Sequence, residues 1–392
     1  MPRTAVVALV LVVVTACGAD SRDATTTIAP ATTTAAAAPN SSLSATSAPL
    51  SDAWPTSTPE EQGMSSGPLA EMFNEVADQN HPIDTISVVR YGHLIAHAAA
   101  DGYRGGELHI VHSVTKSIVS TLIGLAVNEG YLEGVDQRVL EVFDDRVAAN
   151  NDARKEQMTI EDLLTMTSGF DCRDSYLYAW EGLDDLRQSD DWVQHILDLP
   201  MVATPGEEFE YCNRASFLLS AIVQEATGQT AEQYGADRLF GPIGVTNINW
   251  PANPDGISIG WGSLRMAPLD LARFGLLILD DGRWQGRQVV PAAWIDRATE
   301  PYIHGTLQDA YGYQWWIRDD GIVQGLGYEG QYLIIDRERN MVAVFTSKLP
   351  DEQFYLPDRL YDRYVLAAVH GDEPLAPDPD AFEAMEGAID RW

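Results

Sequence analysis

The stretch that decides the fold of this chain is SVTKSIVSTLIGLAV, which runs from Ser113 to Val127. Nearly every position after Lys116 is apolar or small, and the run is long enough for a helix that is buried on most of its sides. A spacing of three places Ser113 and Lys116 on one face of that helix, one above the other. We therefore expect a central buried helix whose first turn carries a hydroxyl and an amine together.

Strand-forming segments lie on both sides of this helix along the chain, with mostly helix-forming segments between them. Strands are predicted at Ile83 to Val89, Leu94 to Ala99, Gly312 to Ile317, Gln331 to Ile335 and Val342 to Ser347. Further helices are predicted at residues 59–79, 215–226, 268–279 and 356–369. This order fits an α+β fold, in which an antiparallel sheet built from both ends is flanked by helices and carries a mostly helical insertion at about residues 115–265.

The beginning of the chain has the features of an export signal. Arg3 precedes an apolar run of ten residues, Ala5 to Val14, which is too short to cross a bilayer. The sequence Val-Thr-Ala-Cys ending at Cys17 is typical of a bacterial lipobox, although an ordinary signal peptide with an unrelated cysteine is the alternative. We expect residues 1–16 to be a signal peptide, and a lipid on Cys17 to hold the exported protein at the outer face of the cell membrane.

Residues 17–58 are rich in Ala, Thr, Ser and Pro and contain few large apolar side chains. Such a segment cannot bury enough surface to offset its ordering entropy. We interpret it as a disordered tether between the lipid and a folded domain at residues 59–392.

The net charge of the chain limits the kinds of molecule that can bind it. It carries 25 basic and 58 acidic residues, a net charge of −33. Such a surface repels phosphate backbones, so we expect no nucleic-acid partner. The acidic surface is interpreted as a solubilising one, and selection of a cationic substrate is the alternative. The eight histidines show no metal-ligand spacing, so neither a metal nor another cofactor is expected.

Ser113 and Lys116 are the first candidate catalytic residues. A serine hydroxyl is a poor nucleophile until a base removes its proton, and a lysine held neutral by its surroundings can be that base. The Ser113 N–H, at the start of a helix, can also stabilise an oxyanion. A helix-capping serine with an exposed lysine is the alternative. We interpret His112 as structural, because it would face away from Ser113 on a helix.

The segment Tyr211-Cys212-Asn213 is the second candidate, and it precedes the predicted helix at residues 215–226. A tyrosine hydroxyl near an ammonium group can share its proton and relay it to a leaving group. Asn213 is expected to hydrogen-bond Lys116 and a substrate carbonyl. Taken alone, the pattern carries almost no information, and a core tyrosine is the default interpretation.

The two candidates in this order resemble the class C β-lactamases, the DD-peptidases and their esterase and amidase relatives. Three further segments are similar to that family in the same order, namely LLTMTSGF (163–170), PGEEFEYCN (205–213) and GSLRMAPLDLA (262–272). The resemblance runs from about residue 60 to the end. It implies an acyl-enzyme on Ser113, with Lys116 and Tyr211 as the partners that handle its proton.

The resemblance also assigns a third motif, Gly325-Leu326-Gly327 followed by Tyr328. It implies that Gly327 leaves the strand backbone open to a substrate, and that the Tyr328 N–H is a second oxyanion donor. Gly325 stands where the family has lysine or histidine, so the usual partner of a β-lactam or peptide carboxylate is missing. The Gly-Gln pair after this motif is similar to the 6-aminohexanoate-dimer hydrolases and related carboxylesterases.

In the family, the loop at 167–169 lies near the tyrosine loop, which would let Cys172 and Cys212 meet. Export makes a disulfide feasible, and two buried free thiols are the alternative. For Trp315 and Trp316, core packing is expected, with one of them lining a substrate pocket as the alternative.

The residues and the resemblance together predict a serine hydrolase that cleaves a small ester or amide without a cofactor. One alternative is a β-lactamase or DD-peptidase that acts on β-lactams or peptidoglycan peptides. Another is a non-catalytic binding module, tethered to the cell surface, that keeps the same fold.

Overall fold

The computed structural model of this protein describes residues 54–104, 106–172 and 183–392. The predicted signal peptide, Cys17 and most of the tether lie outside these ranges. In the described ranges, no helix combines the length and the apolar character needed to cross a bilayer.

Twelve strands are found in the described residues, and seven of them form one antiparallel sheet. In chain order they are β1 (Ile83–Arg90), β2 (His93–Ala99), β3 (His109–Ile110), β4 (Ile248–Asn249), β5 (Arg265–Met266), β6 (Arg283–Trp284), β7 (Arg287–Gln288), β8 (Ala310–Tyr311), β9 (Trp316–Ile317), β10 (Val323–Gly327), β11 (Gln331–Asp336) and β12 (Met341–Ser347). The large sheet has the order β2-β1-β12-β11-β10-β9-β8. Because β1 pairs antiparallel with β12, the two ends of the chain build one sheet, as predicted.

Fourteen α-helices surround this sheet in the described residues. They are α1 (Ser66–Asp78), α2 (Val114–Asn128), α3 (Val139–Val142), α4 (Ala153–Gln157), α5 (Ile160–Leu164), α6 (Asp184–Arg187), α7 (Trp192–Leu197), α8 (Asn213–Thr227), α9 (Ala231–Gly235), α10 (Pro268–Leu279), α11 (Ala292–Ala298), α12 (Leu356–Leu360), α13 (Leu366–Ala368) and α14 (Pro379–Ile389). A π-helical turn, Tyr361–Val365, joins α12 to α13, so the predicted closing helix is confirmed.

Helices cover the sheet on both faces, which accounts for the nearly continuous apolar character of its central strands. On one face α10 packs so closely that a Cβ on Gly275 would lie 2.6 Å from Val342 Cγ1. On the other face Tyr361 donates a hydrogen bond of 2.9 Å to the buried Asp336 at the end of β11. The predicted α+β fold class is therefore confirmed.

Helix α2 is the central helix that the opening stretch predicts. Every residue from Val114 to Ala126 is buried. Two of its polar side chains are hydrogen-bonded inside the fold, since Thr121 donates to the Ser117 carbonyl at 2.9 Å and Ser117 donates to the Gln314 carbonyl at 2.7 Å. The helix therefore gives Ser113 and Lys116 a fixed platform.

The predicted continuous strand at residues 312–317 is wrong, because Gln314 interrupts it. Gln314 has a left-handed backbone (φ 62°) and turns its side chain into the protein, where it is only 2% exposed. Its amide accepts a hydrogen bond from Ser216 of α8 at 2.8 Å and donates to the carbonyls of Leu163 and Leu164 of α5 at 3.0 and 2.9 Å. Gln314 thus joins α2, α5 and α8 to the edge of the sheet.

The predicted helix at residues 59–79 is broken in the structure. A short 3₁₀ turn, Glu60–Gln62, ends at Gly63, and α1 begins at Ser66. Gly63 has a φ of 70°, and a Cβ there would lie 2.3 Å from the Gly371 carbonyl oxygen, so the chain must turn at this point. Among the elements that the sequence analysis missed are β10, whose glycines weaken its strand pattern, the helices α11 and α14, and the two-residue strands β3 to β8.

Candidate active site

Lys116 lies at the centre of the predicted site and is almost completely buried, at 1% exposure. Its Nζ donates hydrogen bonds to Ser113 Oγ at 3.0 Å, to Asn213 Oδ1 at 2.8 Å and to the Trp261 carbonyl at 2.7 Å. Three acceptors match the three N–H donors of an ammonium group. Sequence reasoning missed Trp261, because a main-chain acceptor carries no side-chain signal.

Ser113 immediately precedes the first residue of α2. Its side chain makes no capping hydrogen bond to the helix, and its Oγ instead accepts from Lys116. The alternative of a capping serine with an exposed lysine is therefore wrong. The position at the helix start places the Ser113 N–H among the groups that lack intrahelical partners.

Tyr211 brings its ring against the same amine. The ring centroid lies 4.8 Å from Lys116 Nζ, and the side chain is 7% exposed. On its other side the ring stacks on Trp316 at 5.7 Å with an interplanar angle of 25°. Trp316 thus supports the tyrosine, whereas Trp315 packs in the core against Phe274. A hydroxyl, an amine and a phenol ring therefore converge at the start of α2.

Asn213 reaches Lys116 because it is the first residue of α8, which packs against α2. The residue between Tyr211 and Asn213 is Cys212, and it forms a disulfide with Cys172. The alternative of two free thiols is therefore wrong. Tyr211 and Asn213 are thus the chain neighbours, before and after, of one disulfide-bonded residue.

The profile of the beta-lactamase family matches residues 69–367 of this sequence. This chain belongs to the beta-lactamase family. Among curated relatives, the 6-aminohexanoate-dimer hydrolase of Paenarthrobacter ureafaciens is 23% identical over 291 residues, covering 68% of this chain and 73% of the relative. Penicillin-binding protein 4 of Amycolatopsis lactamdurans is 24% identical over 308 residues, covering 64% and 79%. The resemblance drawn from the sequence motifs is confirmed.

Superposition on solved structures confirms the fold. The octameric penicillin-binding protein homologue from Pyrococcus abyssi superposes with a TM-score of 0.60 at 20% identity, covering 80% of this chain and 79% of that one. EstCE1, a hydrolase with promiscuous acyltransferase activity, superposes with a TM-score of 0.65 at 16% identity, covering 78% and 99%.

The segment predicted to be the third motif of the beta-lactamase family, residues 325–327, lies at the end of β10, beside the segment that leads into Ser113. A Cβ on Gly327 would lie 2.6 Å from the Val111 carbonyl oxygen. The space left by its missing side chain is therefore filled by the Val111 carbonyl and is not open to a substrate, which corrects the sequence-based expectation. Tyr328, the next residue, lies with its ring 5.6 Å from that of His112, the residue before Ser113.

In the motif assignment made from the sequence, Gly325 stands where the beta-lactamase family has lysine or histidine. A Cβ at Gly325 would lie 3.0 Å from Val114 Cγ1 and 3.5 Å from Ser117 Oγ. The strand and the first turn of α2 are thus packed so closely that a long side chain would have to displace one of them. The carboxylate partner is absent at Gly325, and the packing leaves little space for one.

His112 adopts a left-handed backbone (φ 44°), and its ring packs edge-on against Tyr328 at 5.6 Å. Burial, together with the nearby cations of His109, Arg265 and Lys116, lowers its pKa to about 4. The imidazole is therefore neutral at neutral pH, and its approach to Glu329 Oε2 at 3.6 Å is not a charged pair there. These contacts agree with the structural interpretation of His112. In the described residues, no group of three His, Cys, Asp or Glu side chains is arranged to hold a metal.

Proposed function

We propose that this protein is a serine hydrolase that cleaves small esters or amides through an acyl-enzyme on Ser113. The observation that carries the proposal is the position of Lys116, whose buried Nζ lies 3.0 Å from Ser113 Oγ and 4.8 Å from the Tyr211 ring centroid. A nucleophile within hydrogen-bonding reach of its base is the arrangement that acyl transfer needs.

In acylation, Ser113 Oγ attacks the substrate carbonyl carbon and gives its proton to the Lys116–Tyr211 pair. This pair enters the step one proton short of an ammonium plus a phenol, as an amine with a phenol or as an ammonium with a phenolate. The N–H groups of Ser113 and Tyr328 hold the oxyanion of the tetrahedral intermediate. Tyr211 then delivers a proton to the leaving alcohol or amine, and the acyl group remains on Ser113. Water attacks the acyl-enzyme in the second half, with the same groups moving its proton in reverse.

The surroundings of Gly325 favour substrates without a carboxylate next to the scissile bond. A β-lactam or a peptide terminus brings such a carboxylate, and burying it unpaired costs several kcal/mol, on the order of the penalty for an uncompensated charge. Gly325 supplies no cation, and its Cβ direction is filled by Val114. This supports an esterase or amidase over a β-lactamase or DD-peptidase.

The test compares wild type with Ser113→Ala on p-nitrophenyl acetate, short p-nitrophenyl esters, linear amides and nitrocefin. We expect ester or amide turnover by wild type, labelling of Ser113 by a fluorophosphonate, and loss of both in the variant. Faster nitrocefin than ester turnover would favour the β-lactamase alternative. Folded wild-type protein that reacts with none of these reagents would favour the binding module.

We further propose that the enzyme works outside the cell membrane on a lipid tether from Cys17. The support is the Val-Thr-Ala-Cys sequence that ends at Cys17 and the polar segment after it. Cys17→Ala should release the protein from the membrane fraction of a lipoprotein-processing host. Equal retention of wild type and variant in the membrane would contradict the tether.

A further inference from the structure

Cys212 lies between two residues of the candidate site, and both depend on the path of its backbone. Asn213 Oδ1 is 2.8 Å from Lys116 Nζ, and the Tyr211 ring centroid is 4.8 Å from the same atom. A shift of Cys212 would therefore move an acceptor and a proton carrier away from the amine together.

The other end of the disulfide belongs to a segment that is firmly held. The N–H of Asp171, next to Cys172, donates to the Pro200 carbonyl at 2.9 Å, and Phe170 bridges to Met201. Gly169 is packed so closely that a Cβ would lie 2.5 Å from the Ala203 carbonyl oxygen. The disulfide thus attaches Cys212 to a rigid anchor.

Hydrogen bonds around Cys212 support the same attachment. The Glu210 N–H donates to the Met166 carbonyl at 2.8 Å, and the Cys212 N–H approaches Met166 Sδ at 3.3 Å. Sulfur is a weak acceptor, so the second contact restrains the backbone little. The Cys212 sulfur also accepts from the Ala215 N–H at 3.3 Å and so caps the start of α8. Both cysteines are buried, at 1% and 0% exposure.

We propose that the Cys172–Cys212 disulfide is a positioning element of the active site, which holds Tyr211 and Asn213 against Lys116. The inference rests on the proposed function, because its measure is the reactivity of Ser113. The rate of a catalysed reaction depends strongly on the positions of the reacting groups, and a displacement of about 1 Å can lower it by about 100-fold. Without the bond, the site should therefore lose turnover before the fold is lost.

Three variants separate the bond from the helix cap. Cys172→Ser breaks the bond and leaves the Cys212 sulfur at the start of α8. Cys212→Ser breaks the bond and leaves an oxygen there, whereas Cys212→Ala removes both bond and cap. Met385→Ala is the matched control, since it opens a cavity at a fully buried residue of α14, a helix that packs on α1.

For each protein, the folded fraction is measured by near-UV circular dichroism below its melting temperature. The ester kcat, the KM and the rate of fluorophosphonate labelling are then expressed per folded molecule. We expect Cys172→Ser and Cys212→Ser to lower kcat and labelling by about 10- to 100-fold with little change in KM. Met385→Ala should lose melting temperature and keep its kcat.

Variants that label at the wild-type rate per folded molecule would overturn the positioning role while leaving the proposed function intact. Wild type that does not label at all would overturn the proposed function first. Should the variants fail to fold, wild type is reduced after folding with tris(2-carboxyethyl)phosphine, and a thiol count in denaturant establishes that the buried bond has opened before labelling is measured. Folded, reduced protein with slow labelling that recovers on reoxidation would support the role, and unchanged labelling or simple unfolding would refute it.

Discussion

The side-chain oxygen of Asn213 lies 2.8 Å from Lys116 Nζ, although 97 positions separate the two residues along the chain. The contact joins the first residue of α8 to the first turn of α2, and so couples the two helices that carry the candidate site. An acceptor in this place keeps the buried amine oriented towards Ser113. Its loss should therefore affect chemistry more than folding.

Asn213→Ala should lower kcat/KM by about 10- to 100-fold, because a buried donor left without its acceptor costs about 1–3 kcal/mol. The measurement is steady-state kinetics on the best ester found. Asn249→Ala is the control, since Asn249 is exposed on β4. Equal kinetics for wild type and Asn213→Ala would remove Asn213 from the site.

The chain contains a second buried lysine, Lys155. Comparing the two lysines tests whether activity depends on the position of Lys116 beside Ser113 or on any buried amine. Lys155 donates to the carbonyls of Ala149, Leu197 and Leu199 at 2.9, 2.6 and 2.6 Å. Lys116→Met should abolish most activity, by about 10²–10⁴-fold, because it removes the proposed base. Lys155→Met should instead lower the melting temperature and keep the activity of each folded molecule.

The two lysine variants are compared by thermal unfolding and by ester turnover at a temperature where both are folded. A Lys155→Met protein that is stable but inactive, or a Lys116→Met protein that is active, would reverse the assignment of the two amines.

His112 predicts a specific dependence of stability on pH. Its pKa is lowered from 6.5 to about 4 by burial and by neighbouring cations. Between these values the unfolded chain binds a proton that the folded protein does not. The free energy of unfolding should therefore fall as the pH decreases from about 6.5 to about 4, by on the order of 3 kcal/mol from this residue.

The check is urea unfolding at several pH values for wild type and His112→Phe, which keeps an aromatic ring against Tyr328 and cannot take a proton. The variant should lose less stability on acidification than wild type. Parallel curves for the two proteins would show that His112 titrates alike in both states.

The sequence predicts the main helices and strands and the central residues of the site. The two kinds of prediction rest on different physical signals. The apolar run after Lys116 is long enough to specify a buried helix by itself, and β11 and β12 are continuous apolar strands that the structure confirms. Ser113, Lys116 and Tyr211 are recognisable only in combination, because each motif alone is common. Their meeting depends on the packing of α8 on α2, which no local pattern encodes.

The failures come from contacts between distant parts of the chain. In the sequence, Gln314 lies within an aromatic stretch that predicts a strand. In the structure its amide forms hydrogen bonds with α5 and α8, and the backbone turns inward to make them. The role of the Trp261 carbonyl cannot be predicted from the sequence, because every residue has a main-chain carbonyl oxygen. The space at Gly327 was assigned to a substrate, whereas the approach of Val111 fills it.

Gln314→Leu should test that interruption of the strand. It would leave the Ser216 hydroxyl and the carbonyls of Leu163 and Leu164 without their partner inside the core. We expect a loss of about 2–4 kcal/mol in the free energy of unfolding, measured with urea. Gln288→Leu, on the exposed strand β7, is the control and should change stability far less. A Gln314→Leu protein as stable as wild type would contradict the role of this amide.

The close packing between Gly325 and Val114 gives a direct test of the geometry of the site. Gly325→Ala would place a Cβ 3.0 Å from Val114 Cγ1, and overpacking of this kind costs about 1–3 kcal/mol. Because Val114 follows Ser113, the strain should also lower kcat/KM. Val114→Ala removes the obstructing methyl groups, so the double variant should be more active than Gly325→Ala alone.

This prediction is a double-mutant cycle, in which two residues in contact should show a coupling of about 0.5–3 kcal/mol. Stability and kcat/KM are measured for all four proteins, so that a shift of the nucleophile is separated from a loss of folded protein. Gly321→Ala, at an open turn before β10, changes another glycine without such a contact, although its φ of 81° adds backbone strain. Additive effects of the Gly325 and Val114 changes would mean that β10 and α2 do not press on each other, and the exclusion of a carboxylate partner from this position would lose its steric basis.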